Sequence, residues 1–213
     1  MTRKLFWENS YLTQCEANIV DIKENKVIVD QTIAFAFSGG QKSDKGTING
    51  YDILLAEKIG SDIVYTLPEN HDLKVGDEVN IEIDWAHRYK IMKLHFLAEL
   101  VLEIVYQTYN FPEKIGANIT EEKARVDFVW DGNISSIFPE IEPMINDLIS
   151  KDMPIKTGYI DIENERRYWE IEGFAKISCG GTHVKSTGEI GSFRLKRRNN
   201  SRGKERIEIY LSE

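Results

Sequence analysis

At 213 residues, 41% of them hydrophobic and 29% charged, the chain can bury one good core or two small ones but not three, so two modest domains are expected. No run approaches the roughly 18 apolar residues that a membrane helix needs, and residues 1–11 lack the apolar stretch of a signal peptide, which points to a cytoplasmic protein with no membrane partner. A net charge of -8 excludes a surface that grips nucleic acid broadly, so no DNA partner is expected and any RNA contact must use a local basic patch.

Across residues 1–84, short alternating or β-branched runs are punctuated by turn residues: Cys15 to Ile22, Lys26 to Val29, Asp52 to Ile59, Asp62 to Leu67 and Glu78 to Asp84. This pattern predicts an N-terminal small antiparallel β-barrel domain, with hairpin turns at Glu24-Asn25, Gly60-Ser61 and Val75-Gly76-Asp77. From Trp85 to Tyr109 the pattern changes. Neither Gly nor Pro occurs there, and Ile91, Leu94, Ala98, Val101 and Val105 recur at helical spacing, so one long helix is predicted, stopping near Asn110-Phe111-Pro112. A strand over Ala124 to Trp130, a helix from about Ser135 to Lys151 and further strands complete an α+β second domain, 85–213, with the junction near Asp84. The fold class is therefore α+β.

Chemistry concentrates at two places. On the long helix His95 and Glu99 stand four residues apart and share one face; both are acceptable zinc ligands, although alone such a pair is more often a surface hydrogen bond than a metal half-site. Near the other end, Ser178-Cys179-Gly180-Gly181-Thr182-His183 brings a thiolate and an imidazole within reach of one ion. Gly180 and Gly181 permit a tight backbone with positive φ and leave amides free to approach a substrate. Only Cys15 and Cys179 are cysteines, far apart in sequence, so a disulfide framework is not expected and Cys179 is free for metal. His87, eight residues before His95, reads as structural or surface, and His71 as part of a polar loop. The most basic stretch runs from Arg194 to Arg206 and reads as a hairpin whose Lys196, Arg197, Arg198, Arg202 and Lys204 suit local phosphate contact, with Arg166 and Arg167 as candidate extensions.

Taken together, Asp30-Gln31-Thr32, the segment Ser38-Gly39-Gly40-Gln41 followed by Asp44, Gly46 and Ile48, the His95 helix and Cys179 to Val184 resemble the alanyl-tRNA editing proteins of the AlaX type, medium-sized class, and the editing domain of alanyl-tRNA synthetase. The resemblance covers nearly the whole chain and implies a β-barrel domain followed by a zinc-bearing α+β editing domain. It implies a hydrolase that removes serine or glycine, in trans, from the acceptor end of mischarged alanine tRNA. A pocket made for alanine cannot strongly reject glycine, nor serine with its one added hydroxyl, so a second hydrolytic sieve is needed. On this reading His95, Cys179, His183 and Glu99 form the metal site, and Thr32, Gly39, Gly40, Gln41, Gly180, Gly181 and Thr182 line the substrate. Thr32 meets the serine hydroxyl, and Gln41, Thr32 and Glu99 act in catalysis.

Two departures from the family pattern stand out. Glu99 takes the place of the second histidine in His-x-x-x-His, which makes it the fourth ligand, or a base beside three ligands, or marks a lost site. Ala34-Phe35-Ala36-Phe37 replaces a Phe-Tyr-Pro sequence and its acidic successor, altering the pocket wall. The alternatives left open are a deacylase for another misacylated tRNA, a tRNA-binding module without catalysis, and a zinc ion of purely structural role. Mixed nitrogen, sulfur and oxygen donors favour zinc over other metals.

Overall fold

The alternating runs of the first 84 residues become strands whose inward positions are apolar, because successive side chains on a strand point to opposite faces. The computed structural model describes residues 1–201 and 203–212, which are mixed α and β with mostly strands, and the chain divides into two units, Met1–Tyr89 and Lys90–Glu213. Among the described residues no helix is long and apolar enough to cross a membrane.

The first unit opens with β1 (Arg3–Lys4) and the one-turn helix α1 (Leu5–Glu8), then β2 (Gln14–Lys23), β3 (Lys26–Val29), β4 (Gln31–Thr32) and β5 (Gly46–Ile48). It continues with β6 (Tyr51–Asp52), β7 (Leu55–Ile59), β8 (Asp62–Thr66) and β9 (Glu78–Ile83). Seven of these strands pair antiparallel in the order β6-β5-β9-β2-β3-β8-β7, while β1 and β4 pair in parallel. The sheet curls like half a barrel over Ala17, Ile19, Val27, Val29, Ile48, Ile63, Tyr65, Val79 and Ile81. Among the described residues it stays open, with β6 and β7 as its edges.

Glu24 (φ 57°) and Gly60 (φ 62°) close the hairpins expected of them, β2 to β3 and β7 to β8. The turn at Val75-Gly76-Asp77 does not, because β8 pairs with β3 and β7, whereas β9 pairs with β2 and β5. Gly76 instead donates its amide to the Ile19 carbonyl at 2.9 Å. The run Asp52 to Ile59 is likewise two strands, β6 and β7, not one. Strand β5 escaped the sequence reading because it is three residues long and begins on glycine. A Cβ at Gly46 would fall 2.1 Å from the Glu82 carbonyl oxygen, so only glycine lets β5 lie this close to β9.

One buried ion pair ties this unit together. The Arg88 guanidinium donates to both carboxylate oxygens of Asp44, to the Ile33 carbonyl at 2.6 Å and to the Ser10 carbonyl at 2.9 Å. Asp44 also accepts the Phe35 amide at 2.6 Å. Such a pair withstands burial only when its remaining donors and acceptors are satisfied, as they are here by backbone carbonyls and an amide.

Helix α2 (Trp85–Thr108) starts where Asp84 caps it, the carboxylate accepting the His87 amide at 3.0 Å. It ends where Asn110 and Phe111 both take φ of 55° ahead of Pro112. The second unit continues with β10 (Lys114–Ile119), β11 (Ala124–Val129), a 3-10 turn over Ile134–Ile137 and α3 (Phe138–Ser150). Then come β12 (Lys156–Asp161), β13 (Arg166–Ile171), β14 (Ala175–Ser178), β15 (Phe193–Ser201) and β16 (Lys204–Leu211). They form two antiparallel sheets, β10-β11-β16-β15 and β12-β13-β14. In the first, Val126, Phe128, Ile207 and Ile209 are buried on one face, leaving the other mostly to polar residues.

Candidate metal centre

The donor side chains of the second unit come from two distant stretches. Helix α2 carries His95, and the segment after β14 carries Cys179 and His183. The Cys179 amide donates to the Arg167 carbonyl at 3.0 Å, prolonging the pairing of β13 with β14 by one residue and fixing where the thiol emerges. The Cys179 Sγ lies 3.5 Å from His95 Nε2 and 3.3 Å from His183 Nε2, and the three ligand atoms all lie within 4.8 Å of one another. Both imidazoles are buried and the thiol is half-buried; Phe96 packs edge-on against His183, with ring centroids 5.6 Å apart.

Glu99, one turn beyond His95, places Oε1 3.3 Å from His95 Nε2, while Oε2 accepts the Trp169 indole N–H at 3.2 Å. It stands outside the mutually close set of three. Charge couples the cluster. Burial works against a charged His95, but the neighbouring Cys179 and the Glu99 carboxylate override it and hold the imidazole pKa up at about 10. Burial pushes Glu99 up and the His95 hydrogen bond outweighs it, pulling the carboxyl down to about 2. For His183, burial and the positive His95 act together and lower the pKa to about 3, so this ring is neutral at neutral pH with a lone pair to give.

The predicted glycines behave in opposite ways. Gly39 (φ 60°) and Gly40 (φ 89°) take the left-handed conformations of a two-residue turn closed by the Ser38–Gln41 bridge, which places Gln41 in the interior. Positive φ is not found at Gly180 or Gly181, which corrects the expectation for that pair. Thr182 is buried beside His183. Thr32 is also buried: its hydroxyl accepts the Ala34 amide at 3.0 Å and lies 2.7 Å from the Tyr65 hydroxyl, which donates to the Ala34 carbonyl at 2.8 Å. Thr32, Gly39, Gly40 and Gln41 belong to the first unit, and the three ligands with Glu99 to the second.

His87 is a buried residue whose Nε2 lies 3.1 Å from the Ser43 carbonyl oxygen, a structural role. Half-buried His71 meets Tyr51 ring to ring, with centroids 6.2 Å apart. On the hairpin β15–β16, Lys196 and Arg198 share one face, whereas Arg197 turns to the other and grips the buried Glu205 through two hydrogen bonds of 2.5 and 2.8 Å. Lys204 is exposed, and Arg202 lies outside the described residues. Arg167 does not extend the basic hairpin: it is buried on β13 with its guanidinium 4.5 Å from the Tyr159 ring centroid, and its charge lowers the His183 pKa.

Sequence reasoning missed Trp169 and gave Arg167 to the basic hairpin rather than to the site. The signal was present in the alternation of Arg167, Trp169 and Ile171, all buried on β13, because a buried indole needs an acceptor and Glu99 provides it.

The fold and the donor set define a class: a mixed α and β protein in which a helix and a strand-end loop present a buried His, Cys, His cluster able to hold a metal ion. The second unit matches the family described as "Threonyl and Alanyl tRNA synthetase second additional domain" over residues 167–208, a span that contains Cys179, His183 and most of the basic hairpin. Over the whole chain, the alanyl-tRNA editing protein AlaX-M of Pyrococcus horikoshii is 38% identical, covering 99% of this chain and 98% of its own length. The AlaX-M protein of Methanosarcina barkeri is 30% identical over 100% of this chain, and the alanine–tRNA ligase of Ignicoccus hospitalis is 31% identical over 91% of this chain and 24% of the ligase. The chain belongs to the AlaX-M family of alanyl-tRNA editing proteins.

Proposed function

We propose that this protein hydrolyses the ester that joins a wrong amino acid, serine or glycine, to the acceptor end of alanine tRNA, and that His95, Cys179 and His183 hold a zinc ion for the purpose. The single observation that carries the metal assignment is the spacing of the donors. Two ligands of a tetrahedral zinc, at about 2.0 Å for nitrogen and 2.3 Å for sulfur, stand about 3.5 Å apart. The Cys179 separations of 3.5 and 3.3 Å match that spacing, and all three ligand atoms lie within 4.8 Å of one another. A soft thiolate with two imidazoles is also the donor chemistry that zinc prefers. Zinc bound there supplies a Lewis acid to the ester carbonyl or to the attacking water.

The chain's own residues do the rest. Trp169 holds one oxygen of Glu99, leaving the other directed at the cluster, so Glu99 is oriented to take the proton from the attacking water, while His95, Cys179 and His183 would hold the ion. Gln41 and Thr32, with Gly39 and Gly40, line the substrate on the family's pattern. In this structure the Thr32 hydroxyl is tied to Ala34 and Tyr65, so it contributes shape through a hydrogen-bonded wall. An N-terminal half-barrel domain with a zinc-bearing α+β editing domain, acting on tRNA in the cytoplasm, completes the reading, and residues 1–84 and 85–213 are its domains.

Single-turnover deacylation of Ser-, Gly- and Ala-charged alanine tRNA, with metal content measured in parallel, tests this directly. Mischarged tRNA is cleared while Ala-tRNA persists, and Cys179→Ala loses metal and activity together. A metal-replete wild type that clears none of the three substrates ends this reading and favours a tRNA-binding module or a deacylase for another tRNA.

A further inference from the structure

In a protein of net charge -8, one surface has the opposite sign. Strand alternation sends Lys204, Arg206, Glu208 and Tyr210 of β16 to one face of the β10-β11-β16-β15 sheet. The paired positions put Arg125 and Asp127 of β11, and Arg194, Lys196 and Arg198 of β15, on that same face. Lys123, just before β11, joins them by bonding Glu208 at 2.6 Å.

On this face, six cations at strand positions and Lys123 beside them accompany only two strand carboxylates among the described residues. Each carboxylate is shared: Asp127 between Arg125 and Arg206, Glu208 between Lys123 and Arg198. Tyr210 organises the rest, with the charged groups of Lys123, Arg194 and Lys196 at 5.7, 4.9 and 5.4 Å from its ring centroid. At that end the face runs into a cleft of about 710 Å³ bordered by Lys90, Glu121, Glu122, Arg194 and Tyr210.

The geometry points to this whole sheet face, rather than the hairpin tip, as a docking surface for the phosphate backbone of a double-helical RNA stem. The inference rests on the reading of a tRNA as substrate. Positive charge held in a fixed lattice by shared carboxylates and an aromatic ring meets a polyanion without first ordering flexible side chains. A broad, pleated face also fits the wide and shallow minor groove of A-form RNA, which proteins recognise by shape and backbone contact. Arg197 is excluded, since it serves the opposite face.

The test is fluorescence anisotropy of labelled, uncharged alanine tRNA with the full-length protein across a series of salt concentrations. It compares wild type, the triple variant Arg194→Gln, Lys196→Gln, Arg198→Gln, and a control triple variant Lys151→Gln, Lys156→Gln, Lys176→Gln that removes the same charge elsewhere in the unit. The sheet variant weakens binding at least about tenfold near 0.1 M salt and flattens the slope of log affinity against log salt by about two to three, while the control stays within about twofold of wild type. Equal losses in both variants reduce the effect to net charge and overturn the proposal, as does an unchanged sheet variant. Should the triple variant unfold, Lys196→Gln alone, at an exposed position, carries the same comparison. Wild type that binds tRNA yet clears no mischarged substrate ends the hydrolase reading and leaves this one standing. Wild type that binds heparin or an acidic peptide but no tRNA ends both.

Discussion

Glu99 is the residue on which the chemistry turns, because it contacts His95 and Trp169 while standing apart from the three close donors. Glu99→Gln is expected to keep its metal and slow deacylation by about 10²–10⁴, the usual worth of a positioned base. A variant that loses metal as fully as Cys179→Ala would make Glu99 a ligand instead; metal content and single-turnover rate on the same preparation separate the two. Of this site, Cys179 and His183 were legible in sequence because four residues separate them, and His95 because it shares a helix face with Glu99. Their meeting across 84 residues was carried only by the family resemblance, and the alternation that buries Trp169 did not reveal its partner. Its role depends on which face of β13 turns inward, and register is a property of the assembled sheet.

At the scale of elements, two positions test what holds the first unit's motif segment in place. Gly46→Ala would set a methyl group against the Glu82 carbonyl, so β5 must move off β9, with an expected loss of about 1–3 kcal/mol in urea unfolding. Asp44→Ala would leave the Arg88 guanidinium buried without its partner and lower stability by about 3–5 kcal/mol by the same measurement. The long helix α2 and strands β2, β3, β8, β9 and β11 were readable from periodicity, since each has enough residues for its period to repeat. The two-residue pair β1–β4, three-residue β5 and the order of strands in each sheet were not, because short segments carry no period and strand order is decided by long-range pairing. The turn at Gly76 shows the same limit. Its glycine marks a reversal, but nothing local says which strand lies beyond it.

For the whole molecule, the ligand cluster sets a pH dependence that reverses when metal is bound. Without metal, His183 is held below its ordinary 6.5 at about 3, so the unfolded chain takes up a proton that the native one refuses, and stability falls as pH drops through that range. Glu99, lowered from 4.5 to about 2, adds to the same acid loss. His95 is raised from 6.5 to about 10, so its contribution is present below 6.5 and fades as pH rises toward 10. The metal-free protein is therefore expected to show its highest urea midpoint near neutral pH. With zinc, the alkaline decline should vanish, because the ion must displace the His95 proton and gains as protons become scarce. Calorimetric zinc titrations in buffers of different ionisation enthalpy should show at least one proton released per ion at pH 7.5; no release would contradict a protonated His95.

The sheet order also has a consequence for the ribosome. Strand β11 takes β10 on one side and β16 on the other, yet β16 begins about 75 residues later, so at about 5–20 residues per second β11 waits several seconds or more with one edge bare. Such an edge invites pairing with a neighbouring nascent chain. Arg125 and Asp127, seated on that waiting strand, put charge on it throughout the interval, so the strand that ends as part of a basic face spends its first moments as its own safeguard against aggregation.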